Sequence, residues 1–101
     1  MYEKERTAYE EKWDAKLEEW DAKIQELKAK AKGIKADAKI AYEDSVNDLE
    51  RKWEETKQKY QEMRHQKGEE MWEDFKDRMN HMWKDLEGAY EGMKRKFQDL
   101  F

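Results

Sequence analysis

Between Gly68 and Phe101 the chain reads GEEMWEDFKDRMNHMWKDLEGAYEGMKRKFQDLF, and its apolar residues fall at Trp72, Phe75, Met79, Met82, Leu86, Ala89, Met93, Phe97 and Leu100. Alternating steps of three and four residues put all of these on one stripe of a helix. Trp83, Tyr90 and Phe101 widen that stripe beyond a two-helix seam, so the helix has to pack against more than one neighbour. The preceding residues must supply those neighbours. With 48% charged residues and no proline, the chain reads as all-α, built from long solvated helices.

The first two thirds keep a slightly longer period. Tyr9, Trp20, Ala31, Tyr42 and Trp53 recur every eleven residues, and Leu27, Ala38, Leu49 and Tyr60 form a second row at the same interval. Eleven residues in three turns gives a nearly straight helix. Because the phase survives across Gly33, the preferred reading is one helix from about residue 3 to 66, roughly 95 Å long. The rival is a turn at Gly33, with Ile34 packing back on the preceding turn and Asp37 capping a second helix, which gives three helices of about 30 residues each.

Gln66-Lys67-Gly68-Glu69-Glu70 is a clearer break: Gly68 suits a helix stop, and the two glutamates suit the start of a C-terminal helix over about 69–100. A short connection makes the flanking helices antiparallel neighbours. Folding about residue 68 pairs positions whose numbers add to about 136. Tyr60 then lies near Phe75, Trp53 near Trp83, Leu49 near Leu86, Val46 near Tyr90 and Tyr42 near Met93, while Phe97 reaches Ala38 and Phe101 reaches Ile34.

The expected architecture is a single domain over 1–101, packed as three-helix-bundle or coiled-coil layers. Residues 34–101 form a helical hairpin, and residues 1–32 are an arm that needs a packing partner. The arm carries Tyr9, Trp13, Leu17, Trp20, Ile24 and Leu27, whose burial is worth roughly 9 to 18 kcal/mol gross at about 1.5 to 3 each. These six are the expected interaction surface. Either the arm folds back over its own hairpin at Gly33, or it packs on another copy in a domain-swapped homodimer.

Charge is uneven although the net value is only −4. Residues 1–27 carry nine acids and five bases, whereas residues 28–39 carry five lysines and one acid, Asp37. Lys28, Lys32, Lys35 and Lys39 step by four, three and four, one basic stripe on a helix. Such a stripe can meet an anionic lipid surface, nucleic acid or the acidic Glu10–Asp21 stretch of another helix, with a plain solvated face as the default. The negative net charge disfavours nucleic acid. There is no cysteine, so disulfides and thiolate metal sites are excluded. The stretch MYEKERTAYEEKW has no apolar run of signal-peptide length, and a cytoplasmic protein is expected.

KADAKIAYEDSVNDLE (Lys35–Glu50), following EWDAKIQELKAKA (Glu19–Ala31), resembles a family of small bacterial coiled-coil stress-response proteins that includes cyanobacterial members. GEEMWEDFKDRMNHMWKDL (Gly68–Leu86) resembles the glycine turn and W-x-D-(L/F)-K…W-x-x-L helix that ends them. The likeness covers most of the chain and implies a stress-associated helical protein with no catalytic residue to carry over. Gly33, the methionines and the two histidines depart from the family's Ala- and Leu-rich pattern.

Chemistry-bearing constellations are sparse. Met63, His65, Met71, Met79, His81 and Met82 are a copper(I)-like set of residue types. His65 and His81, however, lie about 15 Å apart along the predicted hairpin at 1.5 Å per residue. The methionines therefore read as flexible core filler, and no metal or cofactor is expected. Carboxylates mostly sit beside bases, as in Glu19/Lys23, Glu26/Lys30, Asp74/Arg78 and Glu91/Arg95, the spacing that supports a helix. The single serine, Ser45, has no nearby histidine in sequence, and no glycine-rich phosphate loop is present. The expectation is a non-enzymatic structural or interaction protein, without a small-molecule substrate, that self-associates or binds another protein. The alternative is an amphipathic helical protein on anionic membrane surfaces, since eleven-residue amphipathic repeats also lie on lipid.

Overall fold

The computed structural model describes residues 2–65 and 69–100. It contains α1 (Tyr2–Ala31), α2 (Ala36–Arg64) and α3 (Glu69–Lys96), followed by a short 3-10 turn at Gln98–Leu100. The helices run up, down and up, in a bundle 52 × 19 × 18 Å. Helices of 28 to 30 residues account for about 42 to 45 Å of that length at 1.5 Å per residue. Gly68 and the connection around it lie outside the described residues, as does Phe101.

The single helix over 3–66 is corrected by this structure. The chain turns through Lys32, Gly33, Ile34 and Lys35. The amides of Lys32, Gly33 and Ile34 donate to the carbonyls of Ala29, Lys30 and Ala31 at 3.3, 3.1 and 3.2 Å, a tightened i to i−3 pattern that winds α1 down. Lys35 is then extended (φ −64°, ψ 149°) and starts α2 without a side-chain cap, so Asp37 sits in the first turn rather than at the cap. Gly33 does not use the left-handed conformation, and a Cβ there would meet only the Lys30 carbonyl at 3.8 Å. The turn is thus set by the fold-back itself and not by glycine's special freedom. The apolar phase persists across it because both helices must present a face to the same core, whether or not they are continuous.

Fold-back answers the deficit of the N-terminal arm within the chain. One hydrophobic cluster runs through all three helices and includes Trp13, Trp20, Ile24 and Leu27 of α1, with Tyr9 and Leu17 packed against it. In the α2–α3 pairing Tyr60 and Phe75 stack at 6.1 Å, as the predicted register has it, whereas Tyr42, expected near Met93, meets Phe97 edge-on at 5.4 Å, one helical turn further along α3. Tyr90, expected near Val46, meets Trp20 of α1 at 5.5 Å. This is the second neighbour that the wide apolar stripe of α3 required. Thr56 is also buried, its hydroxyl donating to the Lys52 carbonyl at 2.8 Å one turn back.

Candidate functional site

The six arm residues do not form an open surface. Trp13 and Ile24 are each only 1% exposed, and Trp20 and Leu27 are likewise buried. Trp13 sits among Tyr9, Tyr60, Trp72 and Phe75, with ring centroids 5.2 to 5.9 Å away. Polar clasps reinforce this end. The Tyr60 hydroxyl donates to the Asp14 carboxylate at 2.9 Å, with the Glu10 carbonyl at 3.2 Å, and Arg64 pairs with Asp14 at 3.5 Å. Burial, and then the hydrogen bond to Asp14, push the Tyr60 phenol well above its ordinary value of 10.0. Lys76 of α3 reaches Glu5 of α1 at 2.8 Å.

The lysines behave differently. Lys28 lies on α1, Lys32 in the turn, Lys35 at the start of α2 and Lys39 one turn further on, so the stripe expected along one helix is split between two. The turn nevertheless gathers three of them. Lys28, Lys32 and Lys39 line a cleft of about 300 Å³, together with Ala31, Glu43, Val46 and Asn47. Ala31 and Val46 make an apolar floor beneath the charged rim. Lys28 is ion-paired with Glu50 of α2. Lys32, Lys35 and Lys39 form no ion pair among the described residues. Ile40, next to Lys39, is 73% exposed.

On the outer face of α1, Glu11, Glu18, Glu19 and Asp21 are exposed and likewise have no ion pair among the described residues. Ala15, Ala22 and Ala29 recur between them on the same exposed face at heptad spacing. Sequence spacing identified the lysines but missed Glu43, Asn47 and Glu50. They join the site only because α2 runs back alongside α1, and the signal available was their i, i+4 and i, i+7 spacing beyond the turn. Among the described residues, no three His, Asp or Glu side chains converge as metal ligands, and no helix is long and apolar enough to cross a membrane.

Comparison with protein-family models, with curated proteins and with solved structures gives no match to this chain.

Proposed function

We propose that the protein is a non-enzymatic helical interaction protein that self-associates, the lysine cleft of one copy receiving the acidic outer face of α1 from another. The observation that carries this reading is that one chain holds two opposite sets of charges without an ion pair among the described residues: Lys32, Lys35 and Lys39 at the first turn, and Glu11, Glu18, Glu19 and Asp21 on α1. Complementary unpaired patches set orientation and accelerate encounter, while the apolar floor at Ala31 and Val46 adds contact area. The small side chains of Ala15, Ala22 and Ala29 let a second helix approach closely. The likeness to small bacterial stress-response coiled coils supports a cytoplasmic, stress-associated setting for this association.

Attraction between opposite patches weakens with salt, the reverse of a swapped dimer that would bring two Lys28–Lys39 stripes together. Sedimentation equilibrium at low and high salt measures the sign. The expected result is a dimer at low salt that dissociates at high salt, loss of the dimer in Lys32→Glu/Lys39→Glu, and recovery when that variant is mixed with Glu18→Lys/Asp21→Lys. A strict monomer of 12.5 kDa at low salt overturns the reading.

One observation favours a second reading. Ile40 is 73% exposed beside Lys39 and near Lys35, an apolar side chain flanked by cations as interfacial contacts with anionic lipid require. Flotation with anionic vesicles but not with zwitterionic ones, abolished by Ile40→Asp, would favour membrane docking over self-association.

A further inference from the structure

The acidic and basic sets share one face of one helix. Glu18, Gln25 and Lys32 follow one another at seven-residue intervals, so each is displaced by only about 20° around the helix surface from the last. All three are exposed, as are Asp21, Ala22 and Ala29 beside them. Lys32 immediately follows α1 but stays wound on it, its amide donating to the Ala29 carbonyl at 3.3 Å. The outer face of α1 therefore carries carboxylates on one side of Gln25 and an ammonium group at equal spacing on the other. We propose that two copies pair through this face about a two-fold axis at Gln25, with their α1 helices antiparallel.

This geometry rests on the self-association proposed above and fixes its register. Positions that face each other across the axis have numbers adding to about 50. Glu18 of each copy then meets Lys32 of the other, and Ala22 lies against Ala29, each contact being made twice. Lys39 lines the same cleft as Lys32, so the arriving carboxylates of Glu18 and Asp21 meet two cations that form no ion pair within their own chain among the described residues. Like charges stay apart: Glu18 and its own counterpart are separated by about 21 Å at 1.5 Å per residue. The small side chains of Ala22 and Ala29 set a short interaxial distance, which brings the charged groups on either side of the seam within reach of one another.

The symmetry decides the size of the assembly. A two-fold contact satisfies both charge sets of both copies at once and closes at two. A contact that put the acidic face of one copy on the cleft of the next in a head-to-tail register would leave a cleft free at one end and an acidic face at the other, and would continue to grow. Equal spacing of Glu18 and Lys32 about Gln25 is what the closed form requires and what a head-to-tail chain has no use for.

Because the chain has no cysteine, a single introduced thiol reports where the axis lies. Gln25→Cys places two thiols together at the axis, whereas Ala15→Cys, on the same exposed face, places them about 30 Å apart. Both substitutions are at exposed positions and leave the charge unchanged, and circular dichroism verifies that each full-length variant folds. Under mild oxidation at low salt, Gln25→Cys should form a disulfide-linked dimer at least tenfold faster than Ala15→Cys, and high salt should remove the difference. Sedimentation equilibrium of the unsubstituted chain should saturate at two copies. A low-salt dimer in which Ala15→Cys cross-links as fast as Gln25→Cys overturns the two-fold register and leaves self-association standing, as do species that grow beyond two copies. A strict monomer at low salt overturns both.

Discussion

The two ends of this bundle are built from different materials. At the end holding the start of α1, Tyr9, Trp13, Tyr60, Trp72 and Phe75 interlock, and Asp14, Arg64, Glu5 and Lys76 clasp the helices across them. At the opposite end, around the first turn, the core narrows to Leu27, Ala31, Tyr42, Val46 and Phe97, a cleft opens, and Lys32, Lys35 and Lys39 form no ion pair among the described residues. Large rings bury more area per residue and hold helices in one arrangement, whereas small side chains leave room between backbones. One end is suited to holding the fold and the other to contact.

That contrast can be broken most severely at Trp13. Trp13→Ala should cost about 3 to 5 kcal/mol, a substantial part of the stability of a domain this size. Val46→Ala, at the cleft end, should cost only about 2 kcal/mol. Urea unfolding of the two variants measures the difference, and equal losses would mean that the ends are equivalent.

The polar clasp comes next. Tyr60→Phe removes the hydroxyl from Asp14 and should cost about 1 to 2 kcal/mol. Its pH dependence has a definite sign. The phenols of Tyr60 and Tyr42 are raised in the folded chain, chiefly by burial, so their contribution is present below the ordinary value of 10.0 and is lost as pH rises above it, where the unfolded chain ionises first. Melting temperature should therefore be insensitive to these groups up to about pH 9 and fall above pH 10. The fall should be shallower in Tyr60→Phe.

Gly33→Ala should have a smaller effect and the opposite sign. The backbone there is compatible with a side chain and the added methyl meets no clash, so alanine should stabilise by about 0.4 to 1 kcal/mol through the unfolded state. An α1 that became continuous with α2 would reveal itself as an elongated species in small-angle scattering. The least stability change is expected for Lys39→Glu, within about 0.5 kcal/mol. This half-buried lysine at the rim of the cleft lacks an ion pair among the described residues, so the variant should act on association and not on folding.

Helical content, the apolar faces and the α2–α3 register were legible in the sequence, because each follows from spacing within a helix or from folding a chain about one short connection. Tyr60 over Phe75 is the direct instance. The need of α1 for a partner was legible too, from Trp13, Trp20, Ile24 and Leu27. Which partner it finds was not. An eleven-residue phase is equally satisfied by a continuous helix and by two helices facing one core, so local pattern is blind to the difference. Burial of the whole arm, worth several times any helix propensity at Gly33, decides for the turn. The lysine cleft depends on that same decision. Lys28 and Lys39 come to line one cleft with Val46 and Asn47 only after helices from either side of the turn lie side by side. Periodicity specifies which face of a helix is apolar. Only the packed tertiary structure specifies which side chains from other helices share that face.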